Sequence, residues 1–394
     1  MMKKFAKLFA IVLTLAMVVS CFAGCGSSNT TTVIDEDGNE VEIELTTVRI
    51  GIHSNIGGAT LVAIADDMGF FEEEGINAEI TVVESGPVEM AAMRAGTRTL
   101  EVGYIGSGVA WNALDGDGNS VSFVYFSGLG DAETMLARDG IFTDSNSDGE
   151  YDFDEIYEGL KGQTVYLDTS TTPGSWFKTL LGYVNEGKDA ADQIWISCET
   201  TDYVSGYEAP NSNAANKVEV VYISNANCAT AMSTVSSSRA DIVVSFSPIP
   251  DTILAANDDV SVIAKTSTHF AASDSSIETF VASDEWIAED PETVQAFVNA
   301  LTKAAAIRND DYDYAETAAE NITNAASGSF NASDSWWPTI EEYQEMFATT
   351  SSSGYDYMLA LYDIAYPNVT SGVIEDFEDT MDFSFMLEAL NNIG

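Results

Sequence analysis

The chain has 394 residues, 45% of them hydrophobic, and 15 Lys+Arg stand against 63 Asp+Glu for a net charge of −48. That length can bury two sizeable cores, and that apolar content excludes an acidic disordered tail. The charge excludes nucleic acid as a partner, because phosphate binding needs clustered Lys and Arg, and it repels anionic lipid headgroups.

The first 24 residues read as a secretory signal. Lys3, Lys4 and Lys7 precede an apolar run over Leu8–Val19, which is short for a membrane span. Phe22-Ala23-Gly24-Cys25 follows, and a cysteine after Ala-Gly resembles the lipobox of bacterial lipoproteins. That resemblance implies cleavage before Cys25, lipidation of its thiol and work outside the cytoplasmic membrane. Residues 25–46, polar and acidic, are expected to form a flexible tether.

From Val48 the pattern alternates. Strands are predicted at Val48–Ile52, Ala78–Val83, Leu100–Ile105 and Val121–Phe126, with helices at Ala59–Met68, Val88–Ala95 and Val109–Leu114. After an acidic insertion, strands are predicted at Gln163–Leu167, Val218–Ile223 and Ile242–Phe246, and helices at Ser175–Val184 and Cys228–Ser237. Ile194–Lys217 reads as a surface excursion. Beyond residue 283 the chain is mainly helical, and Asp290-Pro291-Glu292 opens one helix with proline and an acid in its first turn. The alternation argues for parallel α/β sheets.

The insertion carries a sharp local pattern. Asp144, Asn146, Asp148, Gly149, Asp152 and Glu155 fill positions 1, 3, 5, 6, 9 and 12 of a calcium loop, with Glu150 offering its carbonyl. A structural Ca2+ is therefore expected there; no other cofactor is. Of four cysteines, Cys198 and Cys228 remain after processing, and a disulfide between them is left open. With only His53 and His269, a histidine-rich metal site is excluded.

Several segments together resemble the substrate-binding proteins of ABC transporters for aliphatic sulfonates, taurine, nitrate and thiamine-pyrimidine precursors. They are VRIGIHSNIGGATLVAIADDMGFFEEEGINAEITVVESGP, MAAMRAGTRTLEVGYIGSG, LKGQTVYLDTSTTPGSWFKTLL, SSSRADIVVSFSP and SDEWIAEDPETVQAFVNALTKAA. The resemblance spans roughly 48–310 and implies a type II periplasmic-binding fold, two α/β lobes joined by two crossover strands. By position, lobe 1 is 47–133 plus 247–394, lobe 2 is 134–246, and the crossovers fall near Thr134–Arg138 and Ser245–Pro250. It also implies a small-molecule ligand, a membrane permease as partner and a monomeric receptor.

Ligands of such lobes meet strand ends and the helix N-termini behind them. The candidates are His53, Ser54 and Asn55, Ser85-Gly86, Gly106-Ser107-Gly108, Thr134, Thr171 and Thr172, and Ser247. Hydroxyls and free N–H groups at helix starts bind anionic oxygens without a formal cation, which favours a sulfonate, taurine or nitrate. Helix capping alone also places Ser and Thr there. A thiamine-pyrimidine precursor or other heteroaromatic is the alternative ligand. No GxSxG, HExxH or GxxxxGK[ST] pattern is present, so an enzyme is not expected; an extracellular hydrolase and a calcium-stabilised adhesion protein are the rival classes.

Overall fold

The computed structural model describes residues 30–34, 40–94, 98–106, 121–209, 213–234, 239–270, 276–349, 352–358 and 381–393. The signal segment, Cys25, Ser107, Gly108 and the predicted helix Val109–Leu114 lie outside them.

The chain divides into two compact units, 1–46 and 47–394. In the first, where a flexible tether was expected, β1 (Thr30–Ile34) pairs antiparallel with β2 (Glu40–Glu44), Thr30 opposite Glu44. Val41 and Ile43 alternate with glutamates at a spacing of two, which is strand patterning.

The second unit holds two six-stranded sheets. One has the order β14-β6-β13-β5-β3-β4, from β3 (Thr46–His53), β4 (Ile76–Val83), β5 (Val102–Gly106), β6 (Val121–Gly130), β13 (Ser276–Ser283) and β14 (Ser335–Trp336). The other has the order β12-β7-β11-β8-β10-β9, from β7 (Glu133–Arg138), β8 (Thr164–Leu167), β9 (Trp195–Cys198), β10 (Lys217–Tyr222), β11 (Ile242–Phe246) and β12 (Val260–Lys265). Each sheet defines one α/β lobe.

Neither sheet is wholly parallel. β3 and β5 run parallel, as do β8, β9, β10 and β11, but β7 is antiparallel to β11 and β12, and β13 to β5 and β6. The exceptions lie where the chain enters or leaves a lobe and so runs against its neighbours. This pairing moves the expected boundaries. Thr134–Arg138 and Ser245–Phe246 are strand residues of the second sheet, not crossovers. The chain passes between lobes at Asp131–Ala132 and again between β12 and β13, so 247–265 belongs with lobe 2. The Ile194–Lys217 excursion contributes β9, an edge strand parallel to β10.

Strand alternation builds the cores. In β7, Met135 and Ala137 face one apolar cluster of lobe 2 while Leu136 faces another with Val243 and Ile253. In lobe 1 the helix Ile56–Asp67 is buried along Ile56–Ala65. It packs against the helices Pro291–Asp310 and Tyr312–Thr323. Asn55 starts it, its Oδ1 accepting the Gly58 N–H at 2.7 Å.

Candidate functional site

A cleft lies between the lobes, with about 50 Å3 of space open to the centre of a water-sized sphere. Lobe 1 lines it with His53, Asn55, Ile56, Gly57, Ser85, Gly86, Tyr104, Gly106, Gly130 and Glu278, and lobe 2 with Glu133, Thr171, Thr172 and Phe246. Ala132 sits at the passage between them. These are strand ends and helix starts: β3 ends at His53, β5 at Gly106 and β11 at Phe246, while Thr171 precedes the helix Thr172–Val184.

Of the expected residues, the structure brings His53, Asn55, Gly86, Gly106, Thr171 and Thr172 to this cleft. Ser54 is exposed and does not line it. Thr134 is buried within β7, where the pleat turns it away from the lining. Ser247 is buried too, its hydroxyl donating to Asp334 Oδ2 at 2.7 Å. Ser107 falls outside the described residues. Trp176 packs inside lobe 2, its indole N–H donating to Thr266 Oγ1 at 2.9 Å.

Two acidic side chains in the lining are ones the sequence reading missed. Glu133 opens β7 and is 3% exposed; Glu278 lies in β13 and is 4% exposed. Among 63 acids neither stood out, yet both sit inside strands, where glutamate is disfavoured, and that was the available signal. Ser335 Oγ donates to Glu278 Oε1 at 2.6 Å. Burial pushes the Glu278 carboxyl up to about 7, against the opposing pull of Ser335 and the nearby Arg308. A Cβ on Gly57 would fall 2.0 Å from Glu278 Oε1, so the carboxylate occupies the space beside the first turn of the helix Ile56–Asp67.

Behind His53 stands a second buried acid. Glu89, on the helix Gly86–Arg94, is fully buried, and its Oε2 lies 2.8 Å from His53 Nε2. Burial raises its pKa; the adjacent His53 opposes that rise. Added Cβ atoms on Gly51 or Gly103 would each fall 2.1 Å from Glu89 Oε1, so two glycines make the space for this carboxylate. Tyr104 closes the group, its ring edge-on to His53 at 5.4 Å.

The acidic loop forms a self-capped turn. Asp144 accepts the N–H groups of Ser147 at 2.6 Å and Gly149 at 2.9 Å, Asn146 that of Asp148, and Asp148 that of Glu150. Asp152 and Glu155 form a reciprocal capping box at the start of the helix Phe153–Leu160. Glu155 also accepts from the hydroxyl and N–H of Ser145, and these bonds hold its carboxyl below the usual range. Among the described residues, no three acidic, histidine or cysteine side chains gather as a metal site. Cys198 and Cys228 are free thiols.

Comparison with known proteins agrees with this architecture. A Brucella abortus protein, named only as a binding protein, is 25% identical over 168 residues, 43% of this chain and 46% of that protein. The chain thus spans about half the length of the curated relatives it matches. The nitrate-binding protein NrtA of Synechocystis shares the fold at a TM-score of 0.59 and 12% identity, over 88% of this chain and 89% of its own. The sulfonate ABC transporter protein SsuA of Methylobacillus flagellatus does so at 0.55 and 18%, over 89% and 96%. The desulfurization enzyme DszB is also similar, at 0.52 and 13%, over 88% and 99%. The two-lobed form is thus the periplasmic-binding-protein fold, and it occurs with and without catalysis. The NMT1-like family matches residues 42–323, a span that includes every strand lining the cleft, and the chain belongs to that family.

Proposed function

We propose that the chain is an extracytoplasmic solute receptor, anchored by lipid at Cys25, that carries a small ligand to an ABC permease. One observation carries the reading: the cleft is lined from both lobes, so a bound solute would bridge them and favour their closure. The binding-protein names of similar folds support it. Closure by a stabilising solute should raise the melting temperature by mass action and reduce the radius of gyration in X-ray scattering. Chemical conversion of that solute during incubation, followed by mass spectrometry, would instead favour an enzyme.

The anchor has its own test. Intact mass of membrane-associated protein should show a diacylglyceryl group on Cys25, and an unmodified Cys25 on the mature chain would remove this part of the reading.

Calcium at Asp144, Asn146, Asp148, Glu150, Asp152 and Glu155 belongs to the same proposal. An ion would have to draw Glu155 from Ser145 and Asp152, so its effect is expected on stability, not on the cleft. Calcium should raise the melting temperature, and Asp144→Ala with Glu155→Ala should abolish the rise. An equal rise in the double variant would mean diffuse binding to the acidic surface.

The anion expected from the strand-end hydroxyls meets a cleft that already holds two buried glutamates. That points to a different ligand chemistry.

A further inference from the structure

We propose that the solute selected by this cleft is a small organic cation bearing N–H donors, an amine or amidine, held between Glu133 and Glu278. The inference rests on the solute-receptor reading above.

Two carboxylates face the cleft from different lobes, Glu278 on β13 of lobe 1 and Glu133 on β7 of lobe 2. No lysine or arginine is among the lining residues. Glu278 Oε1 accepts from Ser335; its Oε2 makes no bond of full hydrogen-bond geometry among the described residues, and the Trp337 side chain stands beside this carboxyl. A buried oxygen of that kind calls for a donor.

The neighbouring cations make their hydrogen bonds to other groups, although the Arg308 charge still acts on Glu278. Arg308 donates to Ser127 Oγ, Ser127 O and the Tyr343 hydroxyl and is fully buried. Lys265 pairs with Asp131 and Asp334 at 3.4 and 3.1 Å. An anion would seek the N-terminus of the helix Ile56–Asp67, but the Glu278 carboxylate lies beside that first turn. Tyr104 and Phe246 supply aromatic surface in the lining, which attracts cations and repels anions at the ring face. A cation between the lobes contacts one carboxylate from each and rewards closure; an anion there is opposed by both.

The groups facing Glu278 are Glu133 across the cleft, Tyr104 on the neighbouring strand β5, Arg308 behind it, and Ser335 and Trp337 beside it. Because the free carboxyl titrates near neutrality, cation affinity should rise with pH through about 7.

The test uses the full chain and probes matched in shape but opposite in charge. Benzamidinium and benzylammonium are compared with benzenesulfonate and benzoate, with ethanesulfonate and nitrate added, by thermal shift and calorimetry. The cations should raise the melting temperature and the anions should not. Glu278→Gln should weaken the responding cation by about tenfold or more, the loss expected for a charge-assisted hydrogen bond, and should flatten its pH profile. Glu133→Gln provides the same reading if the first variant misfolds by circular dichroism. Stabilisation by the anions alone would overturn the charge assignment and leave the receptor reading intact. Silence from both series would overturn the cation assignment, while the receptor reading stands or falls on the melting and scattering test given above.

Discussion

Arg308→Ala is expected to cost about 2–5 kcal/mol of folding stability, from hydrogen bonds lost to buried acceptors and the cavity left behind. Arg308 lies in the last turn of the helix Pro291–Asp310 with its guanidinium wholly inside lobe 1. It donates to Ser127 Oγ at 3.0 Å, Ser127 O at 2.7 Å and Tyr343 Oη at 3.1 Å, and it stacks over the Trp337 ring at 4.5 Å. One side chain therefore ties β6, the helix Ile340–Met346 and the segment after β14 together. Alanine would leave the Ser127 hydroxyl without this donor and a cavity over Trp337. Arg308→Lys should recover part of the loss, since a lysine keeps the charge but not the fork. Equilibrium urea unfolding is the measurement. A loss under about 1 kcal/mol would mean that water replaces the guanidinium without penalty.

Gly103→Ala is expected to cost about 1–3 kcal/mol, an overpacking effect. The new Cβ would fall 2.1 Å from Glu89 Oε1 and 2.6 Å from its Cδ. Glu89 has no room to retreat, because Gly51 faces the same oxygen from β3 and the side chain is fully buried. The carboxylate must shift, and its contact with His53 goes with it. Glu89→Ala in the Gly103→Ala background should return part of the lost stability, which a clash predicts and a general weakening of β5 does not. Urea unfolding of the single and double variants separates these outcomes, and additive losses would rule out the clash.

Local order was readable from the chain, long-range pairing was not. β3, the helix Ile56–Asp67 and β4 fall within a few residues of expectation because Gly69 and Gly75 bracket a turn and the apolar spacing changes from two to nearly four. Nothing local to Val260–Lys265 says that it pairs with β7, 120 or so residues away, so the lobe boundary was misplaced. Strand-end logic led to Thr171 and Thr172 but also to Ser54, Thr134 and Ser247, which do not line the cleft, and Glu133 and Glu278 were hidden by abundance in a chain of 63 acids. The Asp144–Glu155 pattern was plain, yet the same oxygens that suit calcium also cap backbone N–H groups, and spacing alone does not separate the two uses.

The strands flanking each passage between lobes are neighbours at both ends: β6 beside β13 in one sheet, β7 beside β12 in the other. Two links side by side act like the pins of a door, leaving swing as the easy motion and resisting slip. Displacement then grows with distance from the pins. Glu133 lies at the pins, one residue past Ala132, while Thr171 and Thr172 follow a further helix and strand of lobe 2. In the receptor proposed above, binding would then have an order in time: a solute would settle first near the pivot on Glu133, and contacts from the Thr171–Thr172 turn would arrive last. Substitutions at the pivot should chiefly slow capture, and substitutions at the rim should chiefly hasten escape.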